Sequence, residues 1–260
     1  MRDLPLHLEI ADSCATLWLN RPERANSINA RMVELLAEHL DTLQRADAVR
    51  TLFIRGADGK FCSGADLKEL AAADATVSDE LDMRLARLLD RLAMLPMALV
   101  AVMESFALGG GFLISLYCDW RIATPQAQLG FTPLARNWMP PWGLSRLASW
   151  LGPARARQFL VARGSVTAEE ALTLGLVDQI VPSLEVDAAL GDLAKKWSGS
   201  RADVVAEAKQ FYANWTGVAH AEWDRRSAAA FARTFRHPMA REAIGEFIVQ
   251  RKSNPRTTKP

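Results

Sequence analysis

The chain alternates between two hydrophobic rhythms. Short apolar runs occur at Leu6–Ile10, Ala15–Asn20, Thr51–Arg55, Ala98–Met103 and Asp119–Ala123. Between them lie longer stretches with apolar residues every three or four positions. Ile28–Arg45 carries Met32, Leu35, Leu36, Leu40 and Leu43 in this way, and Asp79–Leu95 carries Leu81, Leu85, Leu88, Leu89 and Leu92. The first pattern predicts strands and the second amphipathic helices. Leu6–Ile10 and Ala15–Asn20 flank a turn at Asp12-Ser13 and are expected to pair. Ala98–Met103 is apolar throughout, as in a strand covered on both faces. A further helix is predicted over Gly111–Tyr117. Strands separated by helices imply parallel βαβ units, hence an α/β fold.

Gln126–Gly143 is dense in Pro and Trp and reads as an irregular wall. Beyond it, helices are predicted at Ser145–Leu151, Ala154–Val161 and Ala168–Leu174, and a strand at Val177–Val181. The rest is helical, through Asp187–Trp197, Asp203–Trp215, His220–Phe235 and Pro238–Gln250. This shift divides the chain into an α/β core over residues 1–195 and a helical C-terminal region over residues 196–260. The tail carries Trp197, Phe211, Trp215, Trp223, Phe231 and Phe247, so it is expected to pack on the core or on another subunit.

Composition narrows the function classes. A chain of 260 residues can bury a substantial core. Its net charge of +1 gives no field for nucleic acid or an anionic membrane. No apolar run approaches membrane-spanning length, and the N-terminus lacks the apolar stretch of a signal peptide. Cys14, Cys62 and Cys118 are dispersed, which suits a reduced, cytoplasmic setting and gives neither a disulfide framework nor metal spacing.

Two glycine turns about 45 residues apart carry the candidate chemistry. One is Phe61-Cys62-Ser63-Gly64-Ala65-Asp66-Leu67, and the other is Phe106-Ala107-Leu108-Gly109-Gly110-Gly111. Main-chain N–H groups at Ala65 and Gly110, aimed at one point, would form an oxyanion hole. A tight helix start would use the same glycines, and spacing alone leaves both readings open. Phosphate-loop readings fail: position 114 is Ile where GxGxxG needs Gly, and Gly59-Lys60 is followed by Phe61.

The ordered set of motifs resembles the crotonase (enoyl-CoA hydratase/isomerase) superfamily. Asn20-Arg21-Pro22 with Asn26, the turns at Phe61–Glu69 and Phe106–Gly111, Cys118-Asp119, Ala168–Val181 and Pro238–Lys252 occur in its order. The resemblance implies a ββα spiral core with C-terminal helices that trimerise, as a homotrimer or a dimer of trimers. It implies an acyl-CoA ligand, coenzyme A entering as part of the substrate with no tightly bound cofactor, and a setting in fatty acid metabolism. Ala65 and Gly110 would supply the oxyanion donors. Main chain at Cys62, Ser63, Asp66 and Leu67 would meet the adenine, Arg24 the phosphates, and Arg251 and Lys252 the 3′-phosphate. Asp66 would cap the following helix, and His237 would sit at a helix junction.

The resemblance breaks where family hydratases keep two Glu residues. Those positions are Leu113 and Pro133, and the position of an alternative Asp is Pro141. Losing a positioned acid or base costs roughly 10²–10⁴-fold in rate. Water addition is therefore not expected. Enolate chemistry without a protein base, such as decarboxylation of a malonyl-type thioester, fits a lyase or isomerase relative. Acyl-CoA binding without catalysis fits too. Arg136, Trp138 and Trp142 are candidates for the acyl pocket, Arg136 as partner for a substrate carboxylate. Glu104 would either replace the missing acid or stand at a strand end, facing solvent or acting as a cap, and Cys62 is a candidate nucleophile with no His nearby in sequence.

Overall fold

The computed structural model describes residues 4–72, 75–131, 137–215 and 220–253. A six-stranded sheet forms the centre. It is built from β1 (Leu6–Ala11), β2 (Cys14–Leu19), β3 (Thr51–Gly56), β4 (Ala98–Met103), β6 (Trp120–Ala123) and β9 (Gln179–Ile180), in that order. The β1–β2 hairpin is antiparallel, with Leu8 opposite Leu17, and every other pair is parallel. Helices α1 (Ala30–Leu43) and α3 (Ala75–Ala93) supply the crossovers. Asn29 starts α1, its side chain accepting from the Met32 N–H at 3.0 Å.

Alternation along the strands builds two cores. Leu52, Ile54, Leu99, Ala101 and Met103 point to the face packed by α1 and α3. Phe53, Val100, Val102 and Ile122 point to the other face, where α8 (Val186–Trp197) buries Val186, Leu190 and Leu193. The uninterrupted apolar run of β4 thus reflects a strand covered on both sides.

A second, three-stranded sheet has the order β5 (Phe106–Leu108), β7 (Gln128–Gly130) and β8 (Ser165–Thr167). Period-2 alternation cannot show in three residues, so these strands were not predicted, and β7 lies in the stretch expected to be irregular. This sheet places the second glycine turn: the Gly109 N–H donates to the Gly130 carbonyl at 2.8 Å. The remaining helices are α2 (Leu67–Ala72), α4 (Gly110–Ser115), α5 (Leu144–Leu151), α6 (Pro153–Gln158), α7 (Ala168–Thr173), α9 (Ala202–Trp215), α10 (His220–Phe235) and α11 (Pro238–Ser253). Helix α10 packs across α3 and α5.

Candidate active site

The two glycine turns touch. Cys62 and Ala107 form a parallel bridge, with Cys62 N–H donating to Phe106 and Leu108 N–H donating to Cys62. A methyl group on Gly111 would come within 2.4 Å of the Cys62 carbonyl oxygen, so only glycine permits this approach. Gly64 has φ +98°, and a methyl group there would lie 3.0 Å from the Leu108 oxygen and 3.3 Å from the Gly110 nitrogen. The Gly64 main chain therefore lies directly against Gly109 and Gly110.

Local hydrogen bonding decides which amides stay free. A parallel bridge joins Ile28 and Ala65: the Ile28 N–H donates to the Gly64 carbonyl, and the Asp66 N–H donates to the Ile28 carbonyl, both at 2.8 Å. In a parallel ladder the intervening residue turns its own N–H to the opposite side, so the Ala65 N–H points away from Ile28. Ala65 is exposed. Gly110 opens α4, and an N–H in the first helical turn has no intrahelical acceptor. The arrangement offers two main-chain donors from adjacent turns.

The Asn-Arg-Pro segment braces the first turn. Asn26 is fully buried; its amide donates to the Ala57 and Lys60 carbonyls, and its oxygen accepts from the Arg21 N–H at 2.7 Å. Arg21 Nη2 pairs with Asp66 Oδ2 at 2.8 Å. Burial pushes the Asp66 carboxyl up, but Arg21 and the Lys68 and Glu69 N–H groups outweigh it and hold the group below its ordinary value. Asp66 Oδ1 accepts from the Lys68 N–H at 3.2 Å, which is the expected capping of α2. Glu69 accepts from the Ala30 N–H at the start of α1. Both carboxylates are engaged in holding the fold.

Several expectations change on this geometry. Cys62 is fully buried, and burial raises its thiol to about 12 against opposing effects of the Gly64 N–H and Arg21, so it is no nucleophile. Its main-chain N–H and carbonyl are both engaged within the turn pair. Ser63 likewise donates its N–H to the Ala25 carbonyl at 3.1 Å. Glu104 neither enters the site nor faces solvent. It is buried and pairs with Arg55 Nη2 at 3.3 Å, while Arg55 Nη1 reaches Asp187 at 2.6 Å. Arg24 is exposed at the end of the turn Pro22–Arg24. His237 joins α10 to α11 and accepts from the Met239 N–H at 3.4 Å.

Of the wall residues, Trp142 reaches the turns. Its Cζ2 lies 3.6 Å from where a Gly110 methyl would be, and its Nε1 donates to Asp82 Oδ1 at 3.3 Å. Leu113 is buried, its Cδ2 2.7 Å from a methyl position on Gly143. Trp138 instead joins a buried cluster with Phe231, Phe235, Ala240 and Ile244 of the tail, against which Leu67 and Leu70 of α2 pack. Its ring meets Phe235 edge-on at 5.6 Å. Pro133 and Arg136 lie outside the described residues, as do the side chains of Arg251 and Lys252.

The wall is also held from the tail. Asp224 Oδ1 accepts from the Gly143 N–H at 2.9 Å, Ser227 Oγ donates to the Pro140 carbonyl at 2.7 Å, and Thr234 Oγ1 accepts from the Met139 N–H at 3.0 Å. Sequence reading missed these residues. Polar positions on an amphipathic helix look like a solvated face, and their wall partners are 81 to 95 positions away.

Known structures share this architecture. A crystal structure of an enoyl-CoA hydratase from Mycobacterium avium subsp. paratuberculosis K-10 superposes with a TM-score of 0.83, covering 92% of this chain and 97% of that one at 25% identity. The fold is thus that of the crotonase superfamily. The sequence model described as enoyl-CoA hydratase/isomerase matches residues 9–256, and the chain belongs to that family. The Bacillus subtilis (strain 168) protein YngF is 34% identical over 75% of this chain and 76% of its own length. Mouse ethylmalonyl-CoA decarboxylase is 31% identical over 70% of this chain and 56% of its own, so the match spans little more than half of that relative. Among the described residues no helix is long and apolar enough to cross a membrane, and no group of His, Cys, Asp and Glu could hold a metal ion.

Proposed function

We propose that the protein binds an acyl-CoA thioester with its carbonyl oxygen between the Ala65 and Gly110 N–H groups, and stabilises the enolate formed there. The observation that carries this reading is the contact of Gly64 with Gly110, together with bonding that shows no acceptor for either N–H among the described residues. Each donor aimed at a developing oxyanion is worth roughly 10²–10³-fold. Leu113 is apolar and enclosed, so it moves no proton. The reaction class that fits is decarboxylation of a malonyl-type thioester. The bond from Cα to the carboxylate breaks, its electron pair forms the enolate, carbon dioxide leaves, and solvent protonates Cα. The name of the mouse relative, a decarboxylase acting on a substituted malonyl thioester, supports this choice.

Coenzyme A enters as part of the substrate, with Arg24 near its phosphates and main chain at Ser63 and Leu67 near its adenine. A second reading, acyl-CoA binding without turnover, is favoured by the same apolar Leu113. Calorimetry with butyryl-CoA, combined with turnover of methylmalonyl-CoA, separates the two. Binding with thioester decarboxylation supports the first, and binding alone supports the second. Absence of binding contradicts both.

The protein is further proposed to be a cytoplasmic homotrimer or dimer of trimers. Val204, Phe211, Tyr212, Trp223 and Met239 are all more than half exposed on the C-terminal helices. Such apolar area marks a contact surface. A stable monomer in light scattering at micromolar concentration would exclude this assembly.

A further inference from the structure

One face of α10 is fastened to the wall of the site. His220, Asp224, Ser227 and Thr234 follow one another at helical spacing, so they share that face. They meet Ser145, Gly143, Pro140 and Met139 in turn, with His220 Nδ1 2.9 Å from Ser145 Oγ. The wall therefore runs antiparallel to the helix and is held at four points. Between the second and third lies Trp142, the residue that reaches Gly110.

Asp224 is the unusual member. It is 1% exposed, and Oδ2 has no hydrogen-bond partner among the described residues. The Gly143 N–H is the bond that Oδ1 makes. The charged and titratable groups that act on it are Asp90 on α3, Tyr117 after α4 and Arg146 on α5, with His220 one turn away on its own helix and Asp82 of α3 bonded to Trp142. Burial pushes the Asp224 carboxyl up to about 6; the Gly143 N–H lowers it, Asp90 raises it and Arg146 lowers it.

We propose that Asp224 is a positioning residue for the thioester site: its bond to the Gly143 N–H fixes Trp142 across Gly110, so α10 braces the wall of that site. The ionised carboxylate accepts this bond more strongly than the neutral acid. Burial outweighs that gain and raises the carboxyl, so the closed wall favours the neutral acid and its hold loosens as pH rises through about 6. The proposal deepens the thioester-binding reading, but its structural part can be measured without ligand.

The test uses the full chain. Hydrogen exchange is followed over residues 139–145, and butyryl-CoA binding by calorimetry. Asp224→Ala should exchange faster there, with β3 and β4 unchanged, and should bind butyryl-CoA more weakly. Asp224→Asn keeps an acceptor oxygen and should match the wild type on both measures at pH 5. Above pH 6 the wild type should bind more weakly than Asp224→Asn, and this pH comparison stands even if the alanine variant does not fold. Wild-type exchange in a folded Asp224→Ala variant, or identical pH profiles for the wild type and Asp224→Asn, would overturn the proposal. Absence of butyryl-CoA binding by the wild type would instead sink the thioester reading, while the exchange measurement still judges the role of Asp224.

Discussion

The glycine turns and the wall meet at Gly110, but they are built by opposite means. The turns are fixed by main-chain bonds between segments about 45 residues apart, and their glycines are demanded by backbone approach. The wall at residues 137–145 is fixed by side chains from a helix some 80 to 95 positions later. The first region is a scaffold for main-chain donors and tolerates little change. The second can vary its side chains and so, on the proposed function, set which acyl group fits. In this chain the turns follow the family pattern in sequence, while the resemblance leads one to expect Leu113 and Pro133 at the positions where family hydratases place their acids.

The largest expected effect tests whether the wall has truly lost its acids. Crotonyl-CoA hydration by the wild type, followed by loss of enoyl absorbance, should fall below about 1 s⁻¹, the low end of ordinary turnover. Faster hydration would mean that another carboxylate reaches the substrate. Asp66 and Glu104 are tied to Arg21 and Arg55, so replacing either should not explain such a rate.

Next comes the scaffold itself. Gly110→Pro removes one donor at a position where proline suits a helix start. It should fold and lower thioester turnover, or affinity if no turnover occurs, by roughly 10²–10³-fold. Unchanged binding in a folded variant would break the assignment of the turns.

Trp142→Ala probes the contact between the two regions. It should cost about 3–5 kcal/mol of stability in denaturant unfolding, as large-to-small core changes do. It should also weaken butyryl-CoA binding, since the ring faces Gly110. Loss of stability with unchanged binding would make Trp142 a packing residue only.

The smallest effect is expected at Glu104→Gln. Its carboxylate is engaged by Arg55 while the turns use its main-chain carbonyl, so the change should cost about 1–3 kcal/mol of stability. Thioester binding should stay at the wild-type level in the same calorimetric assay.

How much of this was legible follows from the same contrast. The central strands and α1, α3 and α10 showed in the sequence because their apolar spacing is long enough to read. Ala98–Met103 and His220–Phe235 were placed with the observed bounds. The β5, β7 and β8 strands were not, because three residues carry no period. Asp66 was recognised as a cap, since that role depends on the next two residues. Glu104 was misplaced, because Arg55, itself paired with Asp187 of α8, reaches it only through the sheet. Asp224 was invisible, because nothing local distinguishes a buried carboxyl on a helix from a solvated one.

The central claim is that the Ala65 and Gly110 N–H groups hold the thioester oxygen. The most direct test is isotope-edited infrared difference spectroscopy of butyryl-CoA labelled with ¹³C at the thioester carbonyl. Two donors polarise that bond, so its stretch should move to lower frequency on binding and return towards the free value in Gly110→Pro. A bound carbonyl that absorbs where it does in water, with no response to Gly110→Pro, would contradict the account.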